Sequence, residues 1–331
     1  MNRRRVLRVL VHGLAGLTAG ALGSRLVRAA DTSQRVVRLG IVVPASRAPA
    51  ESAFWERMRE LGWVEGQNLV VEWHFAEGHV DRLPALMVEV VGHNVDVIMT
   101  GSTPGAIAAK NATSTIPIVA IAMGDPVRSG IVQSLAHPGG NLTGMSMGYF
   151  EGIASKWLEL LQETVPRLST VAVMVNPGVV AHRDLAKELE VVAPKRRLKV
   201  QIIEAREAEE LDGAFEQARR QAQAVLVLSS PMAYQNRIRI TSLAANHRLP
   251  VMYTERIYVD AGGLMSYAVD PIEMFRHAAD LVDKILRGAK PADLPVEQPT
   301  QYLLVVNLKA AKALGLAIPQ SILLQANEVL R

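Results

Sequence analysis

Residues 95–127 read VDVIMTGSTPGAIAAKNATSTIPIVAIAMGDPV, and this stretch decides the fold. A short apolar run, Val95 to Met99, stops at Thr100-Gly101-Ser102, and Thr103-Pro104 then opens an alanine-rich segment. Threonine is a good N-cap and proline suits the first helical position, so the order predicts a strand, a tight loop and a helix. A second apolar run, Ile116 to Met123, ends at Gly124-Asp125-Pro126, where a capping residue again precedes proline. The device recurs at Asn176-Pro177, Ser230-Pro231 and Asp270-Pro271, directly after the apolar runs 171–175, 225–229 and 264–269. In an open parallel sheet, ligands bind outside the carboxyl ends of the strands, where helix N-termini present unpaired N–H groups and partial positive charge. The polar groups at these junctions are therefore expected to converge on one cleft.

Working outward, 331 residues exceed one ordinary core and predict two domains. With 49% apolar and 21% charged residues, the chain has the balance of a globular protein with a sizeable core. It has no cysteine, which excludes disulfides, zinc-thiolate sites and cysteine nucleophiles. The net charge of +4 is misleading, because residues 1–30 carry six arginines and no acid. The remainder balances 30 basic against 32 acidic groups, so no nucleic-acid partner is implied. Residues 1–30 combine Arg3, Arg4, Arg5 and Arg8, an apolar stretch from Val9 to Leu22, and small residues at Ala29 and Ala30. That is the pattern of a signal peptide, too short for a membrane span, and it predicts export to the periplasm by the Sec or the twin-arginine route.

Alternation of strand and helix then runs through 36–147: strand 38–43, helix 50–61, strand 69–75, helix 81–91, and the two units already quoted. It restarts at Tyr149 with a long helix, followed by strands at 171–175, 199–205, 224–229 and 251–253, with helices between them. No low-complexity linker separates the halves, so the crossings are expected to be short. The pieces beyond Leu264 are too small for a third domain and must pack on the first two, which requires more than one crossing.

Several motifs carry a resemblance: Leu61-Gly62-Trp63-Val64-Glu65-Gly66-Gln67-Asn68, Asp81-Arg82-Leu83-Pro84-Ala85-Leu86, Gly124-Asp125-Pro126-Val127 and His137-Pro138-Gly139-Gly140-Asn141. Further along come Gly262-Gly263-Leu264-Met265-Ser266-Tyr267, Val296-Glu297-Gln298-Pro299-Thr300 and Ala313-Leu314-Gly315. In this order, from about Val37 to the C-terminus, the chain resembles the ABC transporter substrate-binding proteins of the tryptophan/aromatic-amino-acid type. The resemblance implies an α/β fold of the periplasmic binding protein type I class: two Rossmann-like lobes with parallel sheets joined by a three-crossing hinge. It puts the crossings near Met147, Ser266 and Ala289, with lobe 1 as 36–147 plus 267–290 and lobe 2 as 148–266 plus 291–331. It also implies a small-molecule solute, an ABC permease and its ATPase as partners, and a monomer. Two departures fall at the cleft: Gly178-Val179-Val180 stands where relatives repeat an Asn-Pro, and Ala268 where a glycine usually follows Ser-Tyr.

The residues suggest a site for a carboxylate-bearing solute such as an amino acid. Ser102, Thr103 and the N–H groups of their helix would hold a carboxylate, and Asp125, if it faces the cleft, would pair an ammonium group. Ser46, Asn176 and Ser230 would reach in from other strand ends. Tyr253, Glu255 and Tyr267 sit where an aromatic can close on a ligand and a hydroxyl can fix it. Each has a local rival role: capping for Thr103, Asp125 and Asp270, turn formation for Ser46, Asn176 and Ser230, packing for the tyrosines. Enzyme chemistry finds no pattern, since Walker, Gly-x-Gly-x-x-Gly, Gly-x-Ser-x-Gly and His-Glu-x-x-His motifs are all missing. No cofactor is expected, and His74, Glu77 and His79 are the nearest approach to a metal cluster. The function that the resemblance implies is the extracytoplasmic solute-binding component of an ABC importer, with a ligand-sensing module feeding a receptor or signalling protein as the alternative.

Overall fold

The computed structural model describes residues 36–148, 152–299 and 301–331. The signal-peptide expectation, on residues 1–30, lies outside them, as does the helix start expected at Tyr149. Two α/β lobes emerge. The first holds a sheet in the order β2-β1-β3-β4-β5, from β1 (Val37–Val43), β2 (Leu69–Phe75), β3 (Val97–Gly101), β4 (Ile118–Met123) and β5 (Leu142–Ser146). All its pairings are parallel. Helix α1 (Ser52–Glu60) covers one face, while α2 (Leu83–Gly92) and α3 (Ser102–Ala112) cover the other.

The second lobe begins with α4 (Ile153–Thr164) and orders its strands β12-β11-β10-β9-β8-β6-β7. These are β6 (Thr170–Val175), β7 (Lys199–Glu204), β8 (Ala224–Val227), β9 (Val251–Tyr253), β10 (Met265–Val269), β11 (Tyr302–Asn307) and β12 (Glu328–Leu330). Only β10 and β11 pair antiparallel. Helices α5 (Val180–Val192), α6 (Leu211–Gln221), α7 (Pro231–Gln235), α8 (Arg237–Asn246) and α9 (Ile257–Asp260) follow their strands. After β10, α10 (Pro271–Leu286) leaves the second sheet and packs beside α1 on the first. The short α11 (Leu308–Ala313) and α12 (Gln320–Gln325) return to the second lobe.

Strand alternation explains the layering. In β1, Val37, Leu39 and Ile41 face the α1 and α10 side, while Val42 faces α2 and α3. A Cβ on Gly40 would come within 2.6 Å of Val90 Cγ1, so glycine there lets α2 lie close against the sheet. The extra strand β12 and helix α12 have no counterpart in the periodicity reading.

The chain passes between lobes after β5, after β10 and before β11. Residues 267–269 complete β10 in the second sheet, and the chain beyond Ala289 stays with the first lobe through Glu297, later than the expected return. The reason is the free edge of β5, whose polar groups the segment satisfies. Val296 N–H donates to Leu135 O, Glu297 N–H to Gly144 O, and Ser146 N–H to Glu297 O, at 2.8, 2.9 and 3.0 Å. Tyr302 then anchors the first crossing, donating its hydroxyl to Met147 O at 2.6 Å and also to Gly148 O. Among the described residues no helix is long and apolar enough to cross a membrane.

Candidate functional site

A cavity of about 830 Å³ lies between the lobes, walled by the carboxyl ends of strands from both sheets. Small-molecule sites span about 300–1,000 Å³, so its size suits a metabolite. Its apolar lining includes Phe54, Trp73, Met99, Ile121, Tyr234 and Phe275. The lobes meet around it: Arg237 Nη1 donates to Ser46 Oγ at 3.2 Å, and Arg128 and Asp184 approach to 3.9 Å.

On the first lobe, the strand–loop–helix unit is tighter than expected. Strand β3 runs on to Gly101, which is itself the N-cap of α3, and Ser102 opens the helix in the left-handed region at φ +66°. Gly101 has no side chain to cap it, and within the first turn Ser102 Oγ accepts Gly105 N–H in a long bond of 3.4 Å. Thr103 is not the cap that the Thr-Pro pair suggests, because its Oγ1 turns sideways to accept Gly124 N–H at 3.0 Å and so ties the start of α3 to the loop after β4. Across the junction, Ala122 also has positive φ, at +53°, beside a register shift in the β4–β5 pairing. Both Ser102 and Ala122 line the cavity. Left-handed backbone in non-glycine residues costs about 1–3 kcal/mol and collects at functional sites. Ser102, Thr103 and Pro104 thus deliver a helix N-terminus, with its partial positive charge, to the cavity wall.

The second lobe spends the same sequence device on itself. Ser230 Oγ accepts Ala233 N–H at 3.1 Å and caps α7. Asn176 Oδ1 accepts Gly178 N–H at 2.9 Å while its amide donates to Arg206 O at 3.2 Å. His182 is buried between these strand ends. Its Nδ1 accepts Asn176 N–H at 2.9 Å, which leaves Nε2–H to donate to Ser229 O at 2.9 Å. Burial pushes the His182 pKa down to about 4, so the imidazole is a neutral bolt between β6 and β8. The open group here is Glu255. Desolvation by burial raises its pKa to about 7, against a hydrogen bond from Ser229 that lowers it. Part of its surface meets the cavity, where water moderates that desolvation. The other acids near it are engaged, since Glu51 pairs Arg47 at 2.6 Å and Glu328 with Asp260 holds Arg256 at 2.5 and 3.4 Å.

Of the nine residues expected from the sequence, Ser46, Ser102, Thr103, Ser230 and Glu255 line this cavity. The other four are placed elsewhere. Asp125 Oδ1 accepts Val127 and Arg128 N–H at 3.1 and 2.9 Å, closing its own turn. Asn176 is used as described. Tyr253 is fully buried, stacked on Tyr258 at 4.8 Å inside the second lobe, with no hydrogen-bond partner for its hydroxyl among the described residues. Tyr267 stacks on Tyr302 at 5.5 Å, and its carbonyl accepts Trp157 Nε1–H at 2.9 Å near the crossings. Asp270 lines the cavity and caps α10 through Ile272 N–H at 2.8 Å. Sequence reasoning missed Trp73, Arg47, His182 and Tyr234. Trp73 falls within the strand expected at 69–75, and its signal is the pair of aromatics at 73 and 75. Arg47 stacks its guanidinium 4.1 Å over the Trp73 ring.

The family model described as ABC transporter substrate binding protein matches residues 39–330. A tyrosine-binding protein of Clostridioides difficile is 25% identical over 327 residues, covering 96% of this chain and 94% of its own length. A crystal structure of a conserved domain protein from Vibrio cholerae superposes with TM-score 0.83 at 27% identity, over 89% of this chain and 100% of its own. The fold is also shared with a Streptococcus pneumoniae ABC domain in complex with L-Trp, at TM-score 0.80 and 23% identity over 89% and 99%.

Proposed function

Since the chain belongs to the ABC transporter substrate-binding protein family, we propose that it captures a zwitterionic amino acid with an aromatic side chain. It would act as the extracytoplasmic solute-binding component of an ABC importer, exported by its leader and working as a monomer that hands the solute to a permease and its ATPase. The observation that carries this reading is the polarity of the cavity walls. One wall has the start of α3, whose N-cap Gly101 has no side chain, suited to a carboxylate, and the facing lobe has Glu255 with no ion-pair partner among the described residues, suited to an ammonium group. Trp73, Phe54 and Tyr234 supply apolar and aromatic surface for the side chain. The relative named as tyrosine-binding supports the same class.

A solute that touches both lobes favours their closure by its differential affinity for the closed form. The cavity residues in this reading hold and release, with no bond made or broken. Isothermal titration of the full chain tests it with L-tyrosine, L-tryptophan and L-phenylalanine against tyramine, which lacks the carboxylate, and 3-(4-hydroxyphenyl)propionate, which lacks the ammonium group. The expected result is binding of an intact amino acid and a loss of at least about 100-fold for either truncated analogue. Equal binding of tyramine, or no binding across the panel, would overturn the proposal.

A further inference from the structure

The first lobe carries a second group of converging side chains, on the face of edge strand β2 away from the cavity. Glu72 and His74, two residues apart, lie on one face of the strand, whereas Trp73 between them points to the cavity side. Helix α2 packs near that face and presents Glu89 and His93, four residues apart and so on one helical side at its C-terminal end. His93 Nδ1 lies 2.6 Å from Glu72 Oε2, and His74 Nδ1 lies 3.7 Å from Glu89 Oε2. The imidazole rings sit 5.9 Å apart, and ligand atoms of Glu72, His74 and His93 all fall within 4.8 Å of one another.

We propose that Glu72, His74 and His93, with Glu89 as the fourth ligand, form a zinc-binding site that clips the edge strand to the end of α2. Two imidazole nitrogens and two carboxylates are a donor set that zinc accepts, with bonds of about 2.0–2.2 Å in a tetrahedron. Ligand atoms in such a tetrahedron stand about 3.3 Å apart, so the His93–Glu72 contact opens slightly and the His74–Glu89 contact closes slightly. Both adjustments are side-chain rotations. His74 and Glu72 are the anchored members, with side chains 10% and 16% exposed, while His93 and Glu89 at 45% and 54% leave an entry path. Arg38 holds Glu72 through its other oxygen, Oε1, the outer hydrogen bond that fixes a ligating carboxylate. Its charge is half exposed and therefore screened by solvent. His74, Glu77 and His79, the nearest approach to a metal cluster in the sequence, are not brought together: Glu77 pairs Arg82 at 2.7 Å and His79 approaches Glu207 at 3.9 Å.

The test is zinc titration of the chelator-stripped full chain by calorimetry, with cobalt(II) absorption reporting coordination geometry. One zinc per chain and an intense tetrahedral cobalt spectrum are expected. His74→Ala with His93→Ala weakens zinc by about 100-fold or more, beyond what loss of an outer partner does. His93→Gln at the exposed helix end weakens it while leaving the metal-free circular dichroism and melting curve unchanged, which separates ligand loss from misfolding. The pair Glu77→Ala and His79→Ala leaves binding intact. Absence of stoichiometric zinc binding in the parent chain, or unchanged affinity in folded His93→Gln, overturns the proposal.

Discussion

The two lobes use one sequence device in opposite ways. Each ends strands at a small polar residue followed by proline, yet of the proline-marked helix starts that line the cavity, Ser230 and Asp270 cap theirs with a side chain while the one at Ser102-Thr103-Pro104 follows a glycine N-cap. In the second, Asn176 and Ser230 are consumed by their own turns, and a neutral His182 locks the strand ends together. What the second lobe offers instead is the carboxyl group of Glu255, held in a desolvated position with no ion-pair partner among the described residues. A helix-start motif is therefore not equivalent to a ligand contact. The informative group is the one whose hydrogen bonds or charge the fold leaves unanswered.

The sharpest way to break this contrast is to remove the charge on the second-lobe side. Glu255→Gln is expected to weaken amino-acid binding by about 100-fold at pH 8, because a desolvated ammonium group would lose its counter-charge. The pH dependence has a fixed sign. The Glu255 pKa is about 7 in the folded chain against an ordinary 4.5, so its contribution to ligand-free stability is full below 4.5 and is lost as pH rises through about 7. Binding an ammonium group needs the carboxylate, so affinity falls by about tenfold per pH unit as pH drops below 7. Calorimetry between pH 5 and 8 should show that slope in the parent chain and lose it in Glu255→Gln, whose ligand-free melting temperature should rise at pH 8. Equal affinity of the two proteins at pH 8 would dissolve the distinction between the lobes.

A change at the opposite wall sharpens it. Gly105 sits in the first turn of α3, and a Cβ there would come within 2.6 Å of Thr100 Oγ1 and 3.2 Å of Pro44 Cγ. Thr100 donates to Val42 O at 2.8 Å and so fixes β3 against β1. Gly105→Ala should destabilise by about 1–3 kcal/mol through overpacking, lowering the melting temperature by several degrees. The displaced helix start should also cost about tenfold in affinity for the amino acid, by moving a charge-assisted contact out of line. Calorimetry below the shifted transition separates the two effects, and unaltered affinity would mean that the start of α3 does not touch the ligand.

How far the sequence reached follows from what kind of information each feature carries. Strand and helix order was legible because hydrophobic periodicity is local, and the strand bounds at 37–43, 69–75 and 170–175 lie within a residue or two of those read from it. Residue direction at strand ends was less legible. Thr103 and Asn176 each satisfy capping rules in isolation, and only the distance to Gly124 or Arg206 in three dimensions decides where the side chain turns. Tyr253 is the clearest example. It ends a strand as expected, but a three-residue strand followed by the short α9 folds its ring back onto Tyr258 within the lobe. Trp73 and Arg47 form a cavity contact between residues far apart in the chain, a pairing no local pattern encodes.

The smallest effect separates a cap from a ligand contact. Asp125 stands at the end of β4, as near to the cleft in sequence as Ser102 is, and a carboxylate there could serve an ammonium group. Its Oδ1 is already committed to Val127 and Arg128 N–H, its side chain is 40% exposed, and Arg128 Nε lies 3.6 Å from its other oxygen. A carboxylate so engaged and so open to water has little left to offer a ligand. Asp125→Ala should therefore cost about 1 kcal/mol of stability, the ordinary loss of a cap, and leave amino-acid affinity within about twofold. Thermal melts and calorimetry on the same preparation measure both. A tenfold loss of affinity in a chain that still melts cooperatively would move the ammonium partner from the second lobe to the first, and the division of labour between the lobes would have to be redrawn around β4.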